Sequence, residues 1–244
     1  MKYLVIIALF LFKFSFGQRN LKINYIIKYN TEIYNEKNGI LMLDVKSQKS
    51  LFLISKTNLK NELPKEDNQI NVIQGEIERY VITDFVVDSL FFKEKINSDI
   101  LIVSENIPKI KWVLNQEATK EIDQYLCYKA TANFRGRNYT AWYSLDFPLQ
   151  YGPWKFNGLP GLIMEIYDQN NRYYWGVTSI GFTDEKIEFP QEKNLHKKID
   201  LKEYVDSRYE KIMDNIDIRL PRGTQTQTTK PSRNGIETKF EWEE

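Results

Sequence analysis

Catalysis needs side chains that can attack, exchange protons or hold an ion, and this chain of 244 residues carries few of them in suggestive patterns. A nucleophilic serine or cysteine needs a base within hydrogen-bond reach. The one histidine, His196, lies in the charged stretch Glu192–Lys198 and reads as a solvated loop residue. The one cysteine, Cys127, stands between Leu126 and Tyr128 in a β-rich run. Unpaired cysteines are among the most buried residues, so packing is its expected role. A lone cysteine closes no intramolecular disulfide and a lone histidine heads no multi-histidine zinc site. We therefore expect no residue in a catalytic role, no metal and no cofactor.

Two other groups are candidates for a site. Glu165 sits between Met164 and Ile166, and a carboxylate against apolar surface can hold its proton more tightly. With a second carboxylate it could serve acid–base hydrolysis of an envelope polymer. Alternation with Leu162, Met164 and Ile166 puts it on the other face of a strand, where a plain exposed position is the competing reading. Asp146 and Asp168 end strands and serve turns. Arg135-Gly136-Arg137 forms a compact basic tip that could hold a carboxylate or phosphate, against the simpler reading of solvated turn charges. Trp142, Trp154 and Phe156 offer rigid aromatic anchors for a partner, and core packing would use the same side chains.

The segment that must position these groups runs from Gly152 to Asp168. Gly152, Pro153, Gly158, Pro160 and Gly161 punctuate its first half. Glycine opens positive φ and proline fixes φ, so the segment follows one non-helical path. Trp154, Phe156 and Leu159 alternate with these breakers and should fold onto a core or line a groove. Leu162–Tyr167 reads as a strand and pairs with Arg172–Phe182 across a turn at 168–171. Upstream, Tyr125–Phe134 and Tyr139–Phe147 flank the Arg135–Asn138 tip as a hairpin.

Gly158-Leu-Pro-Gly-Leu-Ile163, preceded by Gly152-Pro-Trp-Lys-Phe156 and followed by Glu165 and Asp168, resembles the signature of the GLPGLI family. The likeness extends through Trp112, Tyr125–Ala130, Phe134–Arg137 and Tyr139–Tyr143, and returns weakly at Asn234-Gly-Ile-Glu237. The family more often has proline where Gly235 stands. The resemblance implies an exported protein of Bacteroidetes-type bacteria, and it brings no established activity with it.

The remaining chain supplies a β-rich frame. Met1–Gly17 has Lys2, the apolar run Tyr3–Phe12 and a small-residue end at Ser15-Phe16-Gly17. That is the pattern of a cleaved signal peptide. A membrane anchor needs about 20 apolar residues, and Lys13 interrupts this run. The expected location is the periplasm or outside the cell, with no membrane-spanning segment after cleavage. Ile23, Tyr25, Ile27, Tyr29 and Ile33 alternate with polar residues as a half-buried strand does. Ile40–Val45, Leu51–Ser55, Glu76–Val87, Leu90–Ile96, Ile100–Val103 and Ile110–Leu114 are further strand candidates. Thr57–Gly75 reads as a surface excursion, and Glu117–Asp123 as a turn or single helical turn. Asp200 with Glu203 resembles a capping box, and Leu201, Tyr204, Val205, Ile212, Met213 and Ile216 recur at helical spacing.

These elements predict a mainly β fold: a curved antiparallel sheet or incomplete barrel with one C-terminal helix packed on it. One domain spans 18–220, followed by a polar tail at 221–244 in which only the neighbourhood of Ile236–Phe240 is expected to be ordered. A formal net charge of +1 and 14% aromatic residues, with no basic block, exclude a nucleic-acid partner. The expected function is non-catalytic binding of an apolar ligand, a peptide or an envelope protein, with the carboxylate hydrolase as the alternative.

Overall fold

The computed structural model describes residues 19–55, 78–96, 98–190, 197–214 and 233–243. The signal-peptide pattern at 1–17, the excursion at 57–75, His196 and the end of the expected helix at Ile216 lie outside the described residues.

Among the described residues, twelve strands form one open, curved sheet. They are β1 (Asn20–Asn30), β2 (Tyr34–Asp44), β3 (Lys49–Ile54), β4 (Arg79–Asp84), β5 (Ser89–Ile96), β6 (Asp99–Asn106), β7 (Val113–Ile122), β8 (Tyr125–Phe134), β9 (Arg137–Ser144), β10 (Leu162–Asp168), β11 (Tyr173–Thr183) and β12 (Lys197–Asp200). Their spatial order is β12-β6-β5-β4-β3-β2-β1-β11-β10-β9-β8-β7. All pairs are antiparallel except β12 against β6. The helix α1 (Leu201–Asp214) follows β12 directly. Asp200 Oδ1 accepts the Glu203 N–H at 2.8 Å, which caps the helix start.

Alternation sets the two faces of the sheet. Ile27, Trp175, Ile166, Ala141 and Ala130 are register partners in one row across five strands, and all are buried. This inner face carries most of the core. Phe92 on β5 meets Tyr204 of α1 with ring centroids 5.9 Å apart, so the helix covers the inner side near the β6 end.

Two elements differ from the sequence expectation. The stretch Glu117–Asp123 continues as strand to Ile122, and β7 begins at Val113, past Trp112. β7 is an edge strand with mostly exposed residues, so it lacks the apolar alternation that marks a half-buried strand. A bulge between Asn115 and Thr119 further breaks its period, with Asn115 Oδ1 accepting the N–H groups of Glu117 and Ala118. β12 pairs in parallel, a long-range pairing that local pattern does not encode.

Candidate functional site

The Gly152–Gly161 loop is held by its own backbone and by neighbours. Gly158 N–H donates to Gln150 O at 3.2 Å, Ile163 N–H to Tyr151 O at 3.1 Å, and the Trp112 indole to Asn157 O at 2.8 Å. Gly158 has φ +87°, whereas Gly161 is required for a different reason. A Cβ there would stand 2.1 Å from Ser144 O. Trp154 itself takes φ +55°. The path of the loop drives Phe156 into a ring cluster with Phe134, Tyr139, Trp154 and Trp175, and Phe156 is only 1% exposed. Trp154 is half-buried: one face stacks near Trp175 at 6.1 Å and the side chain also lines a recess on the inner face. Core packing and surface presentation therefore coincide at this residue.

Lys155, between those two rings, is the largest surprise. Its side chain is 1% exposed and its ammonium lies 2.6 Å from Glu105 Oε1 and 3.0 Å from Glu237 Oε1. The Phe92 ring sits 4.0 Å below it. Arg135 completes the cluster by pairing with Glu105 and Glu237 and, at 3.0 Å, with Glu241. Burial opposes the charge on Arg135, but Glu237 and Glu105 outweigh it and raise its pKa. Burial likewise acts to raise the Glu105 carboxyl, yet the Lys155 and Arg135 charges hold it below the ordinary range. Charges this enclosed persist because each has opposite charges and hydrogen bonds around it. Glu105 belongs to β6 and Arg135 to the β8–β9 tip, near opposite ends of the strand order, so the cluster ties the curled sheet across its inner side.

The tip that sequence reads as solvated charge is thus largely enclosed. Arg135 and Gly136 both have positive φ, as a two-residue hairpin turn requires. Arg137 pairs with the fully buried Asp168 at 3.1 Å and donates to the carbonyls of Gly235 and Ile236. Of the expected tail, Arg233–Glu243 is described, and it lies as a strap over the tip. Thr238 N–H donates to Arg135 O at 2.9 Å, and Phe240 is buried. The carboxylates held by the tip are the chain's own. A lysine flanked by tryptophan and phenylalanine inside a Gly/Pro loop is the one local signal that hints at this buried network.

Trp142 and Glu165 are not part of this assembly. They are register partners on the outer face. Glu165 accepts from Lys120 Nζ at 2.7 and 2.9 Å and from the Tyr174 hydroxyl at 3.3 Å. The groups that hold it are an ammonium and a phenol, not a second carboxyl. Lys120 also lies 5.6 Å over the Trp142 ring. Cys127 is fully buried, and burial pushes its thiol up to about 12. Among the described residues, no group of three or more His, Cys, Asp or Glu side chains converges as a metal site would require. No described helix is long and apolar enough to cross a membrane.

The inner-face recess has a volume of about 510 Å³. Tyr29, Trp154, Tyr173 and Tyr204 supply aromatic walls, and Arg79, Glu94 and Arg208 supply charge. Tyr29 and Tyr173 meet edge to face at 5.8 Å. Burial raises the Tyr29 phenol to about 12, with Arg79 opposing and Glu94 assisting, so it remains a donor at neutral pH.

Residues 133–165 match the model of a family described as a protein of unknown function, Porph_ging. The match spans the hairpin tip, β9 and the Gly/Pro loop up to Glu165. No curated protein sequence matches the chain. Two crystal forms of PNGF-II resemble it in fold, with TM-scores of 0.52 and 0.53 at 18% identity, over 79% of this chain and 33% of theirs. The chain thus spans about a third of the length of those structures. An uncharacterised conserved protein from Thermus thermophilus is a looser likeness, with a TM-score of 0.39 at 8% identity over 75% of this chain and 91% of that one.

Proposed function

We propose that the protein is an exported cell-envelope protein of the GLPGLI type that binds an apolar, peptide or protein partner without chemically altering it. The observation that carries this reading is the recess of about 510 Å³ on the inner face. Its size falls in the range of about 300–1,000 Å³ common to small-molecule sites. Its aromatic walls are seated on strands, on α1 and on a pinned loop, so they lose little entropy when a partner packs against them. The family assignment rests on Gly158–Ile163 within the matched segment 133–165. Export rests on Lys2, the Tyr3–Phe12 run and Ser15-Phe16-Gly17. The hydrolase alternative loses ground because Glu165 faces away from the recess and is held by Lys120.

Protein recovered from cell envelopes tests both parts. Its first residue should be at or near Gln18, and native mass spectrometry should find a bound species or co-purifying partner that is depleted in Trp154→Ala. Retention of Met1 would overturn export. An identical set of bound species in wild type and folded Trp154→Ala would remove the recess from function.

A further inference from the structure

We propose that the recess captures the C-terminal carboxylate of a peptide, an inference that rests on the binding reading above. Arg208, exposed on α1, donates from Nη1 to the Tyr204 hydroxyl at 2.5 Å and forms no ion pair among the described residues. Arg79, at the start of β4, places Nη2 3.4 Å from Glu94 Oε2 and keeps its side chain 46% exposed. Glu94 Oε2 is buried and accepts no hydrogen bond. Glu94 is within electrostatic range of Arg208 as well as Arg79. One part of the polar wall of the recess, beside Lys93, is therefore two guanidiniums around one carboxylate with an oxygen that accepts no hydrogen bond among the described residues. Lys155 and Glu237 also line the recess, but they satisfy each other.

This wall asks for a ligand with an anion and a donor side by side. Guanidinium groups favour planar carboxylates, which they can grip with two parallel hydrogen bonds. Buried Glu94 Oε2 is ion-paired with Arg79 but accepts no hydrogen bond among the described residues, so it has room for an N–H. The last residue of a peptide offers both at the right covalent separation: a terminal carboxylate, and an amide N–H one atom removed from the Cα that bears it. Its side chain would then meet the aromatic walls at Trp154 and Tyr173. A fatty acid offers the carboxylate but no donor. Capture of a C-terminal carboxylate is a recurring mode of peptide recognition, commonly by backbone N–H groups and here by guanidiniums.

The test uses the purified full chain and two pools of N-acetylated tripeptides, with every C-terminal residue represented. One pool ends in free acids and the other in amides. Palmitate serves as the fatty-acid arm. The free-acid pool should yield complexes in native mass spectrometry, and titration of the best binder should give at least a 10-fold weaker affinity for its amide. Arg208→Met should weaken the acid at least 10-fold with an unchanged melting temperature, since the side chain is exposed. Glu94→Leu, which leaves no acceptor for the peptide N–H, should weaken the same peptide while leaving the acid-over-amide preference. Equal binding of acid and amide, or binding of palmitate with no tripeptide, would overturn the carboxylate-terminus assignment while leaving the recess a binding site. Binding of none of the three would overturn the carboxylate-terminus assignment, while the recess itself is judged by the Trp154→Ala comparison above.

Discussion

Lys155→Met is the substitution that asks most of the buried charge cluster. The ammonium lies 2.6 Å from Glu105 and 3.0 Å from Glu237, and its side chain is 1% exposed. At an effective dielectric of about 20, each contact is an attraction of roughly 5.5–6.5 kcal/mol. Much of that gain offsets the cost of taking the ions out of water, so the intact cluster is worth far less than the sum. Removing one partner is different, because Glu105 stays buried with half its compensation gone. Such truncations cost about 3–5 kcal/mol. For a chain of this size each kcal/mol moves the melting temperature by about 2–4 °C, so the midpoint should fall by roughly 6–20 °C. Methionine keeps most of the side-chain volume over Phe92, which limits any cavity contribution. The double variant Glu105→Gln/Lys155→Met should be more stable than additivity allows, with a coupling of at least about 1 kcal/mol. The acid limb of stability carries a second signature. The Glu105 carboxyl is held lower in the folded than in the unfolded chain, so its contribution is full above about pH 4.3. It is lost as pH falls through the folded value. Lys155→Met removes one cause of that depression and should flatten the acid limb. Thermal melts measure the midpoint, and urea unfolding from pH 3 to 7 measures the coupling and the acid limb. A midpoint within about 2 °C of wild type, with an unchanged acid limb, would refute the reasoning.

Asparagine tolerates the left-handed backbone, so Gly158→Asn should cost less than about 1 kcal/mol where Gly158→Val costs about 1–3. Gly161→Asn and Gly161→Val should both be strongly destabilising, because any Cβ meets Ser144 O; denaturation midpoints of the four variants check the contrast. Cys127 should resist a thiol-specific reagent at pH 8 in the folded chain and react fully in urea, since burial places its thiol near 12; rapid labelling of native protein would contradict this. Trp154→Ala should lower stability by about 3 kcal/mol, the low end for a buried tryptophan, because the residue is only half-buried. Thermal melts in the absence of ligand measure it.

Patterns that depend on near neighbours were readable in the chain. β1 announces itself by alternation from Ile23 to Tyr29, α1 by its Asp200 cap and apolar stripe, and the Gly152–Gly161 loop by its breakers. The β8–β9 hairpin was legible too, but its tip, read as Arg135–Asn138, was two residues wider than the turn at Arg135-Gly136. The buried ions were not, because Glu105, Arg135, Lys155 and Glu237 are dispersed along the sequence and converge only when the sheet curls. A charge looks solvated until its partner is placed. β7 was missed for the complementary reason: an edge strand needs no apolar face, so nothing in Glu117–Ile122 distinguishes it from a turn. Trp142 and Trp154 read alike in sequence, yet the β9 register sends Trp142 to the outer face, away from the recess.

The strand order also sets the timing of assembly. β1 to β6 form one ladder of sequential neighbours and β7 to β11 form another. Each ladder can grow hairpin by hairpin, on a scale of about 1–10 μs per hairpin. The seam between them is β1 against β11, where Asn24 meets Ser179 across 155 positions. Closing a loop of that length costs about 4–5 kcal/mol of chain entropy beyond the constant term, and the reward arrives only once the seam is zipped. β12 then clasps β6 at the far edge, so the first ladder ends up gripped on both sides by the second half of the chain. We therefore expect zipping of the seam to limit the folding rate and the β12 clasp to slow unfolding, with substitutions in the seam and in the clasp slowing the first and speeding the second.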